Sequence, residues 1–251
     1  MKTIGVIGIG MIGGTLARLL AANGYEVVVA NSGDPATLAE EFAELPGIEP
    51  VRARTAAADT DLTIVSVPYA AIPRLGRTVF AGTTGPAVLD TGNYFPQRDV
   101  ALPGFDTDTV DSVWVAHQLG RPVYKAFNTI HAFLLEQAGR PAGAADRIAL
   151  PVAGPAGTEK QQVLDLVDAV GFDPVDAGEL ETSWRQHMDT PVFLAELDPA
   201  GVRAALDRAE PQRPDFIIDP ARIAAQHDLA RRWHPSERLR AGMMRAYGID
   251  M

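Results

Sequence analysis

The sequence predicts an α/β fold: a doubly wound parallel sheet covered by helices on both faces, followed by a helical C-terminal extension. Three observations predict it. Residues 3–9 form a short apolar run rich in β-branched side chains, as a strand buried on both faces requires. That run enters Gly8-x-Gly10-x-x-Gly13 and then the apolar-periodic stretch Thr15–Gly24, so a glycine-rich turn joins a strand to a helix. Beyond it, short apolar runs alternate with helical periodicity as far as about residue 180, the pattern of successive strand–helix units.

Each glycine of the first turn has its own mechanical task. Gly8 permits the tight turn, and Gly10 lets a pyrophosphate approach the backbone. Gly13 lets the helix pack closely on the strand, with its amides and dipole facing an anion. Tyr25–Ala30 reads as the second strand and ends in Asn31-Ser32-Gly33-Asp34-Pro35, where an NAD-specific unit carries an acidic residue for the adenine ribose. Asn31 and Ser32 instead offer hydrogen bonds to a 2′-phosphate that a carboxylate would repel, which favours NADP (NADPH). Asp34-Pro35 reads as an N-cap with proline at the first position of a helix over 35–45. Residues 48–54 read as a short third strand. Its Arg52 and Arg54 either reach the adenine-side phosphate or stay solvated.

Asp61–Pro68 is a buried strand, and its end (Ser66, Val67, Pro68) is expected beside the nicotinamide ribose, because ligands of such sheets sit outside strand carboxyl ends. A helix over 69–77, a strand over 87–90 and the turn 91–96 follow. Then come a strand over 122–127 entering Asn128–His131, a helix over 132–138, a strand over 147–153, a helix over 158–170 and the segment 172–177. These pieces predict one continuous Rossmann sheet: residues 1–180 as an NADP-binding domain and 181–251 as the extension. The extension reads as an apolar segment at 190–195, a short charged helix at 199–209, a turn or linker at 211–214, and two arginine-rich amphipathic helices at 221–233 and 235–247. It is expected to cap the cleft or to form the interface of a homodimer.

A formal net charge of −10 opposes nucleic-acid binding, which needs a basic footprint. No apolar run approaches the length of a bilayer span. With no cysteine, disulfides, thiolate nucleophiles and Cys-ligated metals are excluded. The chain enters a strand at its start, so a cytoplasmic protein without a membrane or nucleic-acid partner is the expectation.

The expected cofactor-binding residues are Gly8, Gly10, Met11, Ile12, Gly13, Asn31, Ser32, Ser66, Val67, Pro68 and Asn93; Asn128, Ile130 and His131 are the expected substrate-binding residues. Asn93 and Asn128 follow strand ends, where asparagine either bonds the nicotinamide carboxamide or an acceptor edge or serves the turn's backbone. His131, Tyr94, Tyr124 and Asp90 are the candidate proton donors, but none belongs to a recognisable catalytic array, so no catalytic residue is assigned. His117, His187, His227 and His234 lack metal-ligand spacing and are expected on the surface or at helix ends. Trp114, Trp184 and Trp233 are expected in the core or at an interface.

Ile7–Gly13, the Asn31-Ser32 strand end, Val65–Pro68, Lys125–Ile130, Pro151–Gly154 and Asp173–Gly178 together carry a resemblance to the F420-dependent NADP oxidoreductases over roughly residues 2–185. The resemblance implies hydride transfer between NADPH and F420, a deazaflavin stacked over the nicotinamide; holding two flat rings together and excluding water supplies most of the rate of such a reaction. Two positions differ from that family: Gly33 stands where an arginine follows the serine, and Asn128 where F420 enzymes tend to carry histidine. Three functions stay open. One is an NADP-dependent oxidoreductase acting on a deazaflavin-like or other planar acceptor. The others are an NADPH-dependent imine or carbonyl reductase and a non-catalytic NADP(H) sensor whose tail binds a partner.

Overall fold

In a computed structural model of the chain, the described residues are 1–95, 99, 102–106 and 108–211. The two expected helices at 221–233 and 235–247, most of the linker at 211–214, Trp233, His227 and His234 lie outside them. Among the described residues no helix is long and apolar enough to cross a membrane.

Six parallel strands form the main sheet: β1 (Thr3–Ile7), β2 (Glu26–Ala30), β3 (Ile48–Pro50), β4 (Leu62–Val65), β5 (Val88–Asp90) and β6 (Val123–Lys125), in the order β3-β2-β1-β4-β5-β6. The order reverses at β1, whose Ile7 pairs with Ala30 of β2 on one side and Val65 of β4 on the other. A crevice therefore opens at the carboxyl ends of these three strands.

Side chains alternate between the two faces. Val6, Ile64, Leu89 and Tyr124 enter one buried cluster, while Ile7, Val65, Val88 and Val123 enter another. Each face is closed by helices. On the first lie α1 (Met11–Ala22), through Leu16, Ala17 and Leu20, and α2 (Ala36–Phe42), through Leu38 and Phe42. On the second lie α3 (Ala53–Ala58), the helical run over 69–80 that contains α4 (Ile72–Leu75), and α5 (Asp111–Leu119).

Several sequence expectations need correction. Helix α1 begins at Met11, so Gly13 and Gly14 lie in its first turn; close packing outweighs glycine's poor helix propensity there. The third strand stops at Pro50, and Arg54 belongs to α3, a short alanine-rich helix that presses against Gly5. Helix α5 went unread because Asp111-Ser-Val-Trp-Val is rich in β-branched and aromatic residues. The sheet is not continuous to residue 180: β7 (Ala149–Val152) and β8 (Asp173–Asp176) form a separate parallel pair. That pair joins the main sheet at one antiparallel bridge, Lys125 to Ala153, with N–O distances of 2.8 and 3.0 Å. Pro151 and Pro174 each remove a ladder donor, which confines these strands to a short pair.

Helix α6 (Ala132–Gln137) follows β6, and α7 (Thr158–Ala169) connects β7 to β8. Residues beyond 180 pack on this frame. A 3₁₀ helix, Leu180–Gln186, lies against β6, and α8 (Pro199–Asp207) covers β7 and β8 through Val202, Ala205 and Leu206.

One polar cluster sits inside the second face. Asp90 Oδ2 accepts from Tyr69 Oη and Ser112 Oγ, both at 2.7 Å, and Asp90 Oδ1 accepts the Gly92 N–H at 2.9 Å. Lys125 is 0% exposed; its Nζ donates to Ser112 Oγ at 2.9 Å and Gly92 O at 3.1 Å and lies 3.6 Å from Asp90. Burial, reinforced by the Asp90 and Asp111 carboxylates, pushes the Tyr69 phenol well above its ordinary value, so it remains a donor. The cluster ties the ends of β5 and β6 to α5. Lys125→Met should lower unfolding free energy by about 3–5 kcal/mol, because it strands a buried carboxylate. Urea unfolding of Lys125→Met and of Lys125→Met/Asp90→Asn checks this, and the double variant is expected to recover part of the loss.

Candidate functional site

The first crossover is built by what cannot fit. Gly8 has φ +99°, and its N–H donates to Ala30 O at 2.9 Å. A Cβ there would overlap Ser66 O and come within 2.7 Å of Val67 Cγ1, and one on Gly13 would overlap Gly8 O. Gly10 is different. It is exposed at the N-cap of α1, and a Cβ on it would meet nothing within 4 Å. Gly8 and Gly13 thus serve the protein's own packing, while packing places no such demand on Gly10 and the space above the helix N-terminus is open.

At the end of β2, Asn31 Oδ1 accepts the Gly33 N–H at 2.8 Å, and the side-chain amide N–H groups make no hydrogen bond to a described residue. Ser32 is exposed and makes no hydrogen bond to a described residue. Asp34 Oδ1 accepts from Ala36 N at 2.9 Å, but α2 begins at Ala36, so Pro35 rather than Asp34 takes the N-cap position. Arg52 and Arg54 are exposed, and Arg54 donates to Ala81 O at 3.3 Å on the far side of α3.

A cavity of about 190 Å³ lies beyond the carboxyl ends of β1, β4, β5 and β6. It is smaller than the roughly 300–1,000 Å³ of sites that enclose a whole drug-sized ligand, so it suits one end of an extended molecule. Of the expected residues, Gly10, Met11 and Ile12 line its first wall, Ser66, Val67 and Pro68 the second, and Asn93, Asn128, Ile130 and His131 the third. Gly8, Gly13, Asn31 and Ser32 are not among its lining residues. Sequence reasoning missed Thr91, Gly92, Phe95, Phe127, Phe193 and Leu194. For Thr91 and Gly92 the available signal was their place just after a strand end. For Phe193 and Leu194 it was the apolar segment within the polar tail.

Thr91 Oγ1 donates to Ser66 Oγ at 2.9 Å, which joins the two strand ends at the cavity floor. The asparagines are tied to each other: Asn93 Nδ2 donates to Asn128 O at 2.9 Å, and Asn128 Nδ2 donates to Asn93 Oδ1 at 3.0 Å. Asn128 Nδ2 also donates to Gln186 O at 2.6 Å. Both N–H groups of Asn128 are therefore committed, and its amide braces the wall rather than offering donors to a ligand. Overhead, Phe193 packs with Phe95 and Met188, and Leu194 N donates to Thr129 O at 2.9 Å. Among the described residues, the segment after residue 187 contributes Phe193 and Leu194 to the cavity lining.

The four candidate proton donors separate clearly. Asp90 is buried among Tyr69, Ser112 and Lys125, and Tyr94 stacks on Phe105 with ring centroids 4.1 Å apart. Tyr124 faces Glu159, and burial beside that carboxylate pushes its phenol up to about 12. Only His131 of the four lines the cavity. His117 is exposed, and His187 caps the 3₁₀ helix as a helix-end role predicts, but it is buried against Asp111, with Nε2 3.6 Å from the carboxylate. Trp114 is a core residue stacked on Tyr69 at 5.9 Å, and Trp184 lies half-exposed beneath Arg185.

Residues 3–94 match the family described as NADP oxidoreductase, coenzyme F420-dependent. The crystal structure of the hypothetical protein SMa0349 from Sinorhizobium meliloti is similar at 30% identity and a TM-score of 0.66, over 78% of this chain and 95% of that one. A candidate F420-dependent NADP-reductase from Arthrobacter sp. FB24 is similar at 27% identity and a TM-score of 0.59, over 73% and 87% of the two chains. The Escherichia coli (strain K12) protein YjhV is 36% identical over 70 residues, which span 51% of its length and 28% of this chain.

His131 sets the acid–base character of the cavity. Burial lowers its pKa from 6.5 to about 4, so the imidazole is neutral near pH 7 and cannot act there as an imidazolium donor. The unfolded chain takes up this proton near pH 6.5 and the folded chain near 4, so the stabilisation is full above pH 6.5 and is lost as pH falls toward 4. Replacing His131 with Phe should remove about 3 kcal/mol from the loss of stability between those pH values, as measured by urea unfolding at each pH.

Proposed function

The chain belongs to the F420-dependent NADP oxidoreductase family, and we propose that it binds NADPH across the carboxyl ends of β2, β1, β4 and β5 and directs its hydride to a deazaflavin-like or other planar small-molecule acceptor. The observation that carries this reading is the open space at Gly10, above the N-terminus of the twelve-residue α1, beside two glycines that the fold itself requires. The amides of α1 would hold the diphosphate. Asn31 and Ser32 would take the 2′-phosphate, and the cavity bounded by Ser66, Thr91 and Asn93 would take the nicotinamide end. When bound, NADPH supplies the hydride; the protein supplies position and shelter from water.

The cavity's chemistry supports a planar acceptor. Among the described residues, no lining side chain is an acid, lysine or arginine, and His131 is neutral near pH 7. A simple carbonyl or imine needs a proton delivered at the reacting atom. An extended conjugated ring spreads the new electron pair and can take its proton from solvent. That contrast favours the planar acceptor over the imine or carbonyl reductase.

Turnover of NADPH with F420, free flavins and a panel of small imines and carbonyls separates the readings; tight binding with no turnover would leave the sensor. Ser32→Asp should weaken NADPH by about tenfold or more while leaving NADH within about twofold, by fluorescence titration of each reduced cofactor. Gly10→Val should weaken both by about a hundredfold without lowering the thermal midpoint, because its side chain enters ligand space and not packed protein.

A further inference from the structure

We propose that Gln186, on the 3₁₀ helix beyond the residues matched by the family, is a positioning residue for the nicotinamide end of the site. The inference rests on the NADPH reading above and adds a tail-borne group to it. Gln186 is 0% exposed, and its Nε2 donates to Lys125 O at 3.3 Å and to Asn128 Oδ1 at 3.0 Å. Its own carbonyl oxygen accepts from Asn128 Nδ2 at 2.6 Å. Lys125 O and Gln186 O are backbone acceptors that cannot be exchanged for donors, so they fix the orientation of both amide groups.

These bonds fall on either side of Phe127. Phe127 lines the cavity with φ +62°, a backbone conformation that a side-chain-bearing residue rarely adopts. Gln186 thus staples the residues before and after a strained position. Through Asn128 it also sets Asn93, which lies on the same cavity wall. Among the described residues Gln186 Oε1 is buried without a partner, so the residue commits its amide N–H groups to Lys125 and Asn128 while its own oxygen accepts nothing from them. An ordinary packing residue here could be apolar at lower cost. A buried polar group left partly unsatisfied calls for an explanation, and the restraint of Phe127 supplies one.

The test compares two probes: NADPH, and adenosine 2′,5′-bisphosphate, which carries the adenosine and the 2′-phosphate but no nicotinamide. Gln186→Leu should bind NADPH about tenfold more weakly than wild type and the bisphosphate within about twofold. A general loss of structure would weaken both. Gln186→Glu keeps the shape but cannot donate as a carboxylate. Relative to wild type at each pH, it should match the Leu variant near about pH 8 and regain NADPH affinity toward about pH 5.5 as the acid form donates to Asn128. Equal weakening of both probes, no weakening of NADPH, or a pH-independent Glu variant would each overturn the proposal. Wild-type protein that binds neither probe would instead remove the cofactor reading itself.

Discussion

The approach of α1 to β1 and β4 is the constraint on which the rest of this molecule depends. Gly8 turns with a positive φ against the Ser66 carbonyl, and Gly13 lies against the Gly8 carbonyl. Together they hold the end of β1, the start of α1 and the end of β4 at backbone-to-backbone distance. A methyl group at either position would separate these elements and move the helix N-terminus away from the crevice. Gly10, between them, faces open space. One six-residue motif therefore contains two glycines that packing requires and one that it does not. Sequence pattern alone cannot divide them; the surroundings of each glycine do.

Much of the frame was legible because doubly covered parallel strands leave an unmistakable trace: Val27–Ala30 and Ala87–Leu89 are wholly apolar, and Leu62–Val65 departs from this only at the buried Thr63. The strand ends follow from this trace, and the strand ends locate the site. What was not legible depends on contacts between distant segments. Nothing in Ala149–Val152 says whether it extends the main sheet or starts another, since periodicity records burial and not the partner. Helix α5 is misleading by composition, because Val113, Trp114 and Val115 suit a strand, and tertiary packing on Tyr69 decides the matter. Asn128 could be read from sequence as a turn residue or as a ligand; only its two committed N–H groups identify it as a brace.

The segment after residue 180 shows how a family frame acquires its own character. Its polar 3₁₀ helix reaches the core through Gln186, and its apolar turn places Phe193 and Leu194 over the cavity. Two residues with positive φ, Phe127 and Leu194, face the same space from opposite sides. Such backbone costs about 1–3 kcal/mol per residue and persists only where neighbours over-determine it. Here the neighbours are identifiable: Gln186 bonds to either side of Phe127, and Thr129 O accepts the Leu194 N–H. Strain and its restraint both converge on the cavity.

The distribution of charge supplies the last step. Lys125 and Asp90 lie just behind the cavity wall, satisfied by Tyr69, Ser112 and the Gly92 backbone, while the wall itself presents glycines, aliphatic groups, aromatic rings, small hydroxyls and amides. A charge in the wall would favour one protonation state of a bound ring and would carry water with it. Placed one layer back, the same ion pair rigidifies the ends of β5 and β6 without exposing a charged group to the ligand. His131 completes the pattern, since burial holds it neutral. A surface of this kind is poorly suited to moving protons and well suited to holding an apolar ring still. The proposed hydride transfer between flat rings would make that demand, because its rate depends on distance and alignment more than on an acid or a base.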